Sequence, residues 1–297
     1  MMFLIKILGW ILCIVMLVIL ALLVLLRFAK AVPTRYETKT TTAGLVESSF
    51  IRPGPLPVRH FSFRNDSPTI RLWLPESQAE ALPIVVMANG TGVKPGKYAA
   101  SFRHLASYGY AIVGCDDPSM GDGATISRLI DWLEQESQNP RSPVYDRLDL
   151  SRVGVCGHSQ GGAGALCAIE KDKRIQTAVA LSPTHEAMAG ALGWTYDTTR
   201  INRPVLLLAG CVGDFETQAV LPLAAMKTMY SRLQGTKVMA RRKDADHGQM
   251  LYRCDGYVTA WLEWQLKGKP YEEVFSLKGE WARNPLYENF DAFHSPV

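Results

Sequence analysis

The 297-residue chain has little that would place it outside the ordinary globular classes. Charged residues make up 20% and the formal net charge is +4. Part of that excess (Arg27, Lys30, Arg35, Lys39) sits beside the apolar N-terminus. No dense basic stripe appears later, and Arg241-Arg242-Lys243 is too short to recognise a phosphate backbone, so nucleic acid is not an expected partner. None of the six cysteines forms a CxxC pair, which removes the usual zinc frameworks, so no metal is expected. Cys115 and Cys156 lie within apolar runs, where cysteine packs as a small hydrophobe, and no obligatory disulfide is expected. There is no internal repeat and no low-complexity tract. Nor is there a long insertion between 181 and 204, so any lid over a site there must be short.

Long uncharged runs are scarce too, with one exception. Ile7 to Leu26 carries no charge, between Lys6 and Arg27. As a helix it would reach about 30 Å, the depth of a bilayer core. Its length exceeds a usual signal-peptide core, which favours an uncleaved single-pass anchor over residues 1–31. The alternative is a secreted or periplasmic protein released by cleavage near Ala29-Lys30-Ala31. The side of the membrane stays open, as does the oligomeric state. Residues 32–57, with a polar run at 39–42 and prolines at 53, 55 and 57, read as a linker without helix.

From residue 58 to 297 the pattern is that of one α/β domain. Residues 58–64 and 69–74 suggest a strand pair. Apolar runs at 83–88, 111–115, 152–156, 177–181 and 204–208 predict buried strands, and 236–242 reads as a last strand. Between them, helical spacing predicts helices near 97–108, 123–136, 217–233 and 249–267. Such alternation implies a mostly parallel central sheet with helices on both faces. Ligands bind at the carboxyl ends of such strands, so the residues just after each run are where chemistry is expected. The aromatic spacing of 268–297 (Trp281, Tyr287, Phe290) suggests that this tail packs on the body.

Three strand ends carry suitable groups. Gly157-His158-Ser159-Gln160-Gly161 joins a strand to a small-residue helix, the context in which G-x-S-x-G exposes a nucleophilic serine. An ordinary glycine-rich turn is the bland alternative. Asp214 follows the strand at 204–208 and is the expected acid, with helix capping as its structural alternative and Glu216 as the fallback. His247 follows the last strand, giving the chain order Ser, Asp, His, and is the expected base. An oxyanion hole needs two amides, expected from Gln160 and from Thr91 in the loop Asn89-Gly90-Thr91-Gly92.

On these residues the chain resembles the dienelactone-hydrolase side of the α/β-hydrolase superfamily. Within it, the chain is most similar to cutinase-like polyester hydrolases and lipases. The likeness runs from about Gly54 to Trp264 and is strongest over Leu150 to Gly162. It implies hydrolysis of a small-molecule carboxylic ester through an acyl-enzyme, without a cofactor, by Ser159, Asp214 and His247. Three positions depart from the polyester-cleaving members, which carry an aromatic residue at Thr91, a tryptophan at Thr184 and methionine at Gln160. The resemblance therefore implies a smaller or more polar acyl group. A non-catalytic binding protein on the same fold, and a serine peptidase or acyltransferase, are the alternatives.

Overall fold

The computed structural model describes residues 31–64, 68–77 and 81–295. The apolar run 7–26 lies outside the described residues. Among those described, no helix is long and apolar enough to cross a membrane.

Among the described residues, a nine-stranded sheet runs in the order β1-β2-β4-β3-β5-β6-β7-β8-β9. β1 (Val58–Phe63) and β2 (Ile70–Pro75) form an antiparallel pair at one edge. β3 (Leu82–Ala88), β4 (Ala111–Cys115), β5 (Leu148–His158), β6 (Ile175–Leu181), β7 (Val205–Val212) and β8 (Lys237–Asp246) are mutually parallel. Their apolar runs are continuous because both faces are covered. Side chains alternate across the sheet plane, so one strand feeds two cores. In β3, Ile84, Val86 and Ala88 join the core on one face, while Val85 and Met87 join the other.

The helices that cover the sheet are α1 (Leu45–Phe50), α2 (Ala99–Ser107), α3 (Ala124–Ser137), α4 (Gln160–Lys171), α5 (Glu186–Ala191), α6 (Leu223–Arg232), α7 (Met250–Arg253) and α8 (Asp255–Lys267). α3, α4 and α6 contribute to the first core, and α2 and α8 to the second. Where the sequence suggests one helix over 217–233, the chain makes a π-helical turn, Phe215–Val220, before α6.

Both flanks of the domain differ from the sequence expectation. Residues 32–57 are packed on the body and contain a helix, α1. Tyr36 is buried, with its hydroxyl 2.5 Å from Asp255, and Glu47 is wholly buried against Arg242 at 2.7 Å. The prolines restrict only the stretch beyond residue 52, and before it Val32, Tyr36, Val46, Phe50 and Ile51 pack against the second core. At the other end, 236–242 is not the last strand. β9 (Tyr287–Phe293) pairs antiparallel with β8 and closes the edge. The tail does pack as expected, with Phe275 and Trp281 fully buried.

Candidate active site

The turn between β5 and α4 is as tight as its sequence requires. A side chain at Gly157 would start 1.9 Å from the Gly161 carbonyl oxygen, and one at Gly161 would start 2.1 Å from that of Ala88. Only glycine fits either position. Ser159 between them stands at φ 59°, ψ −121°. That conformation is costly for a residue with a Cβ and persists only where the surroundings impose it. Hydrogen bonds from Ser159 N to Leu181 O (3.0 Å) and from Thr184 N to Ser159 O (3.2 Å) hold it to the end of β6. Ser159 is half-buried, at the carboxyl edge of the parallel sheet.

The loop after β3 approaches from the other side. A Cβ built on Gly90 would lie 3.4 Å from the Ser159 Cβ. The loop is pinned by Asn89 Nδ2 to Cys115 O (2.6 Å), Gly90 N to Tyr98 Oη (3.1 Å) and Gly92 N to Pro118 O (3.2 Å). Thr91, between these anchors, is exposed, and its amide donates to no acceptor among the described residues. The Gln160 amide, at the first position of α4, likewise has none. The Gln160 side chain is buried and accepts from Met120 N at 3.1 Å.

His247 lies in the turn after β8. Asp246 and Gln249 bracket it reciprocally: Asp246 N donates to Gln249 Oε1 (3.0 Å) and Gln249 N to Asp246 Oδ1 (2.8 Å). This reciprocal pair has the form of a capping box across the turn that carries His247, and α7 follows it from Met250. The motif Asp246-x-x-Gln249 is visible in the sequence as a capping signal. Salt bridges from Asp244 to Arg242 (2.6 Å) and to Arg253 brace the strand end below it.

The partner of His247 is Glu216, not Asp214. Its Oε2 lies 2.6 Å from His247 Nδ1. Glu216 is wholly buried, and its Oε1 accepts from Ser182 Oγ (2.6 Å) and Gly210 N (2.7 Å). Burial alone would raise the carboxyl, but the bond and charge of His247 with those two donors hold it below the usual carboxylate range. Asp214 is exposed at the N-cap of the π-helix and makes no side-chain capping bond. The wide turn accounts for the difference. Its bond from Leu221 N to Glu216 O (3.0 Å) spans five residues, and it carries Glu216 inward beneath the histidine while Asp214 faces solvent. Ser182 was not marked by sequence. Its only signal there is its place immediately after β6, and in the structure it takes a left-handed φ of 43°.

Two aromatic groups adjoin His247. The His158 ring lies 4.5 Å away, and Phe215, 60% exposed, meets the imidazole edge-on at 5.0 Å. Thr184 is buried beside Ser159, and its carbonyl accepts from Tyr196 Oη at 2.8 Å. The five described cysteines are free, four of them buried. Among the described residues no cluster of side chains could hold a metal ion.

A strained serine between glycines at the end of a parallel strand, and a histidine held by a buried acid from a later strand, define the α/β-hydrolase class of protein. The chain belongs to the PET hydrolase-like family, whose profile matches residues 67–228, more than half of its length. That match includes Thr91, Ser159 and Glu216 and stops short of His247. Among relatives, the bis(hydroxyethyl) terephthalate hydrolase of Streptomyces coelicolor is 30% identical over 137 residues, covering 44% of this chain and 39% of that protein. Cutinase est1 of Thermobifida alba is 27% identical over 88 residues, covering 28% and 29%. The hydrolyase poxO of Penicillium oxalicum is 28% identical over 183 residues, covering 55% and 40%. The matched part of the chain thus spans 40% or less of each of these relatives.

Proposed function

We propose that this protein is a serine hydrolase that cleaves carboxylic esters through an acyl-enzyme, with Ser159 as nucleophile, His247 as base and Glu216 as the acid. The observation that carries the proposal is the bond from buried Glu216 to His247, together with a serine in a strained elbow whose preceding residue, His158, contacts His247. With Nδ1 held by the carboxylate, Nε2 is the nitrogen left to receive a proton. His247 takes the Ser159 proton as the oxygen attacks the ester carbonyl. The unpartnered amides of Thr91 and Gln160 receive the oxyanion. The imidazolium, stabilised by Glu216, then protonates the departing alcohol, and water releases the acid by the same steps in reverse.

The relatives named for terephthalate-ester and cutin hydrolysis support an ester rather than an amide substrate. Threonine at 91 and 184, and a Gln160 side chain committed to Met120, leave no aromatic clamp at those positions and favour a small or polar acyl group. Phe215 offers an apolar edge beside the imidazole that protonates the leaving alcohol. The apolar run 7–26 supports attachment of the enzyme to a membrane by its N-terminus. Carbonate extraction of membranes and sequencing of the mature N-terminus distinguish that from release after cleavage.

The test is hydrolysis of p-nitrophenyl esters from acetyl to dodecanoyl by the full chain beside Ser159→Ala. Loss of about a millionfold in kcat is expected for a triad serine. Retained turnover in a folded Ser159→Ala protein would overturn the assignment. A fluorophosphonate that fails to label the wild-type serine would point instead to a binding role.

A further inference from the structure

The residue before the nucleophile is not a bystander in this turn. His158 is buried, and its Nε2 lies 2.8 Å from the carbonyl oxygen of His247. Its ring also lies 4.5 Å from the His247 imidazole, tilted by 44°. A carbonyl oxygen can only accept, so Nε2 carries the hydrogen. His158 Nδ1 is buried with no partner among the described residues, on the side facing Gly90. An unpartnered buried nitrogen costs stability that a phenylalanine of similar shape would not. What the imidazole supplies, and phenylalanine does not, is the bond from Nε2.

We infer that His158 is a positioning residue for the base: its Nε2–H donates to the His247 carbonyl and locks the histidine turn to the nucleophile elbow. The inference rests on the proposed triad. Glu216 fixes the far side of the His247 ring, and the Asp246–Gln249 bonds brace the turn on either side of the residue. None of these ties the turn to the elbow, and the His158 bond, made to the His247 carbonyl itself, does. Because His158 is covalently joined to Ser159, nucleophile and base are tied together by one hydrogen bond and one peptide unit. Small displacements of a reacting pair are expensive, at about 100-fold in rate for 1 Å. Burial, with the neighbouring His247 ring, pushes the His158 imidazole down to about 3. It therefore stays neutral beside the imidazolium that forms on His247 and does not repel it.

The experiment combines kinetics of two variants of the full chain with nitrogen-15 NMR of the wild type. His158→Phe keeps the ring and removes the donor, and should lower kcat by about 10- to 100-fold with little change in KM. His158→Gln places an amide donor near the same point and should restore most of that loss. A His158→Phe protein with wild-type kcat, or a folded His158→Gln protein as slow as His158→Phe, would overturn the inference. If His158→Phe does not fold, His158→Gln must remain within about tenfold of wild type. The NMR arm needs neither turnover nor a variant. It should find His158 neutral with its hydrogen on Nε2, and a hydrogen on Nδ1 would overturn the inference. If wild type hydrolyses no ester, the proposed function fails, while the tautomer still decides the bond to His247.

Discussion

Glu216 Oε2 lies 2.6 Å from His247 Nδ1, while Asp214, two residues earlier, is exposed to solvent. The carboxylate that meets His247 is thus set two residues further along the chain by a π-helical turn, a device found often at functional sites. Glu216→Gln keeps the shape but can leave His247 in the wrong tautomer, and kcat should fall by about 10⁴-fold. Asp214→Asn should leave kcat within about twofold, since surface changes away from special features have little effect. Steady-state kinetics of the two variants on one ester decide between the carboxylates, and equal losses would return Asp214 to the site.

Phe215 stands edge-on to the His247 ring and 60% exposed. Phe215→Ala should weaken kcat/KM for esters of bulky apolar alcohols by about tenfold, the worth of one well-placed apolar contact. Methyl esters of the same acid should be nearly unaffected. Comparing methyl and naphthyl esters measures the difference, and equal effects on both would mean that Phe215 supports the histidine rather than the substrate.

The ion pair between Glu47 and Arg242 is fully buried at 2.7 Å. Arg242 Nη1 also reaches Tyr287 Oη (3.1 Å), and Nη2 reaches Thr41 O (2.6 Å). Glu47→Ala would leave the guanidinium with Asp244, 2.6 Å from Nε, as its remaining counter-charge and should cost about 2–3 kcal/mol, the worth of a buried charge-assisted bond. Urea unfolding measures it. A loss below about 1 kcal/mol, the worth of an exposed pair, would mean that water or a neighbour takes over the charge.

Asp255 is raised from 3.8 to about 7 by burial, against the opposing bonds of Tyr36 and Ser101. A raised carboxyl binds its proton in the folded state first. Between about pH 4 and 7 the folded protein therefore holds more protons than the unfolded chain, and stability from this group falls as pH rises through that window. His158 and His104 act in the opposite sense. Burial lowers them to about 3 and about 4, so the unfolded chain takes up protons first as pH drops below 6.5, and stability is lost in acid. Asp255→Asn should gain on wild type steadily from about pH 4 to 7, as read from urea midpoints. A constant difference across that range would show that Asp255 does not titrate there.

The parallel strands were legible because continuous Val, Ile and Leu runs such as 83–88 have no other stable home in a chain of this size. The elbow was legible because steric demands at 157 and 161 leave only glycine. β9 was not, since Tyr287-Glu288-Asn289-Phe290-Asp291 mixes polar with aromatic residues, as an edge strand half-open to water can. The segment 32–57 was hidden for a related reason. Its attachment depends on Tyr36 and Glu47 meeting partners more than 190 residues away, and local composition carries no trace of that.

By itself the sequence determined the alternating architecture and picked out the Ser159 elbow and His247 as candidates, because each arises from local periodicity or from sterics within a few residues. Which carboxylate serves the histidine was decided only by the tertiary structure. Asp214 and Glu216 lie on the same turn, and the choice between them depends on which side chain that turn aims at β8. Inside, Ser182 and the Gly210 amide complete the hydrogen bonds of a buried carboxylate, and Glu216 alone reaches them.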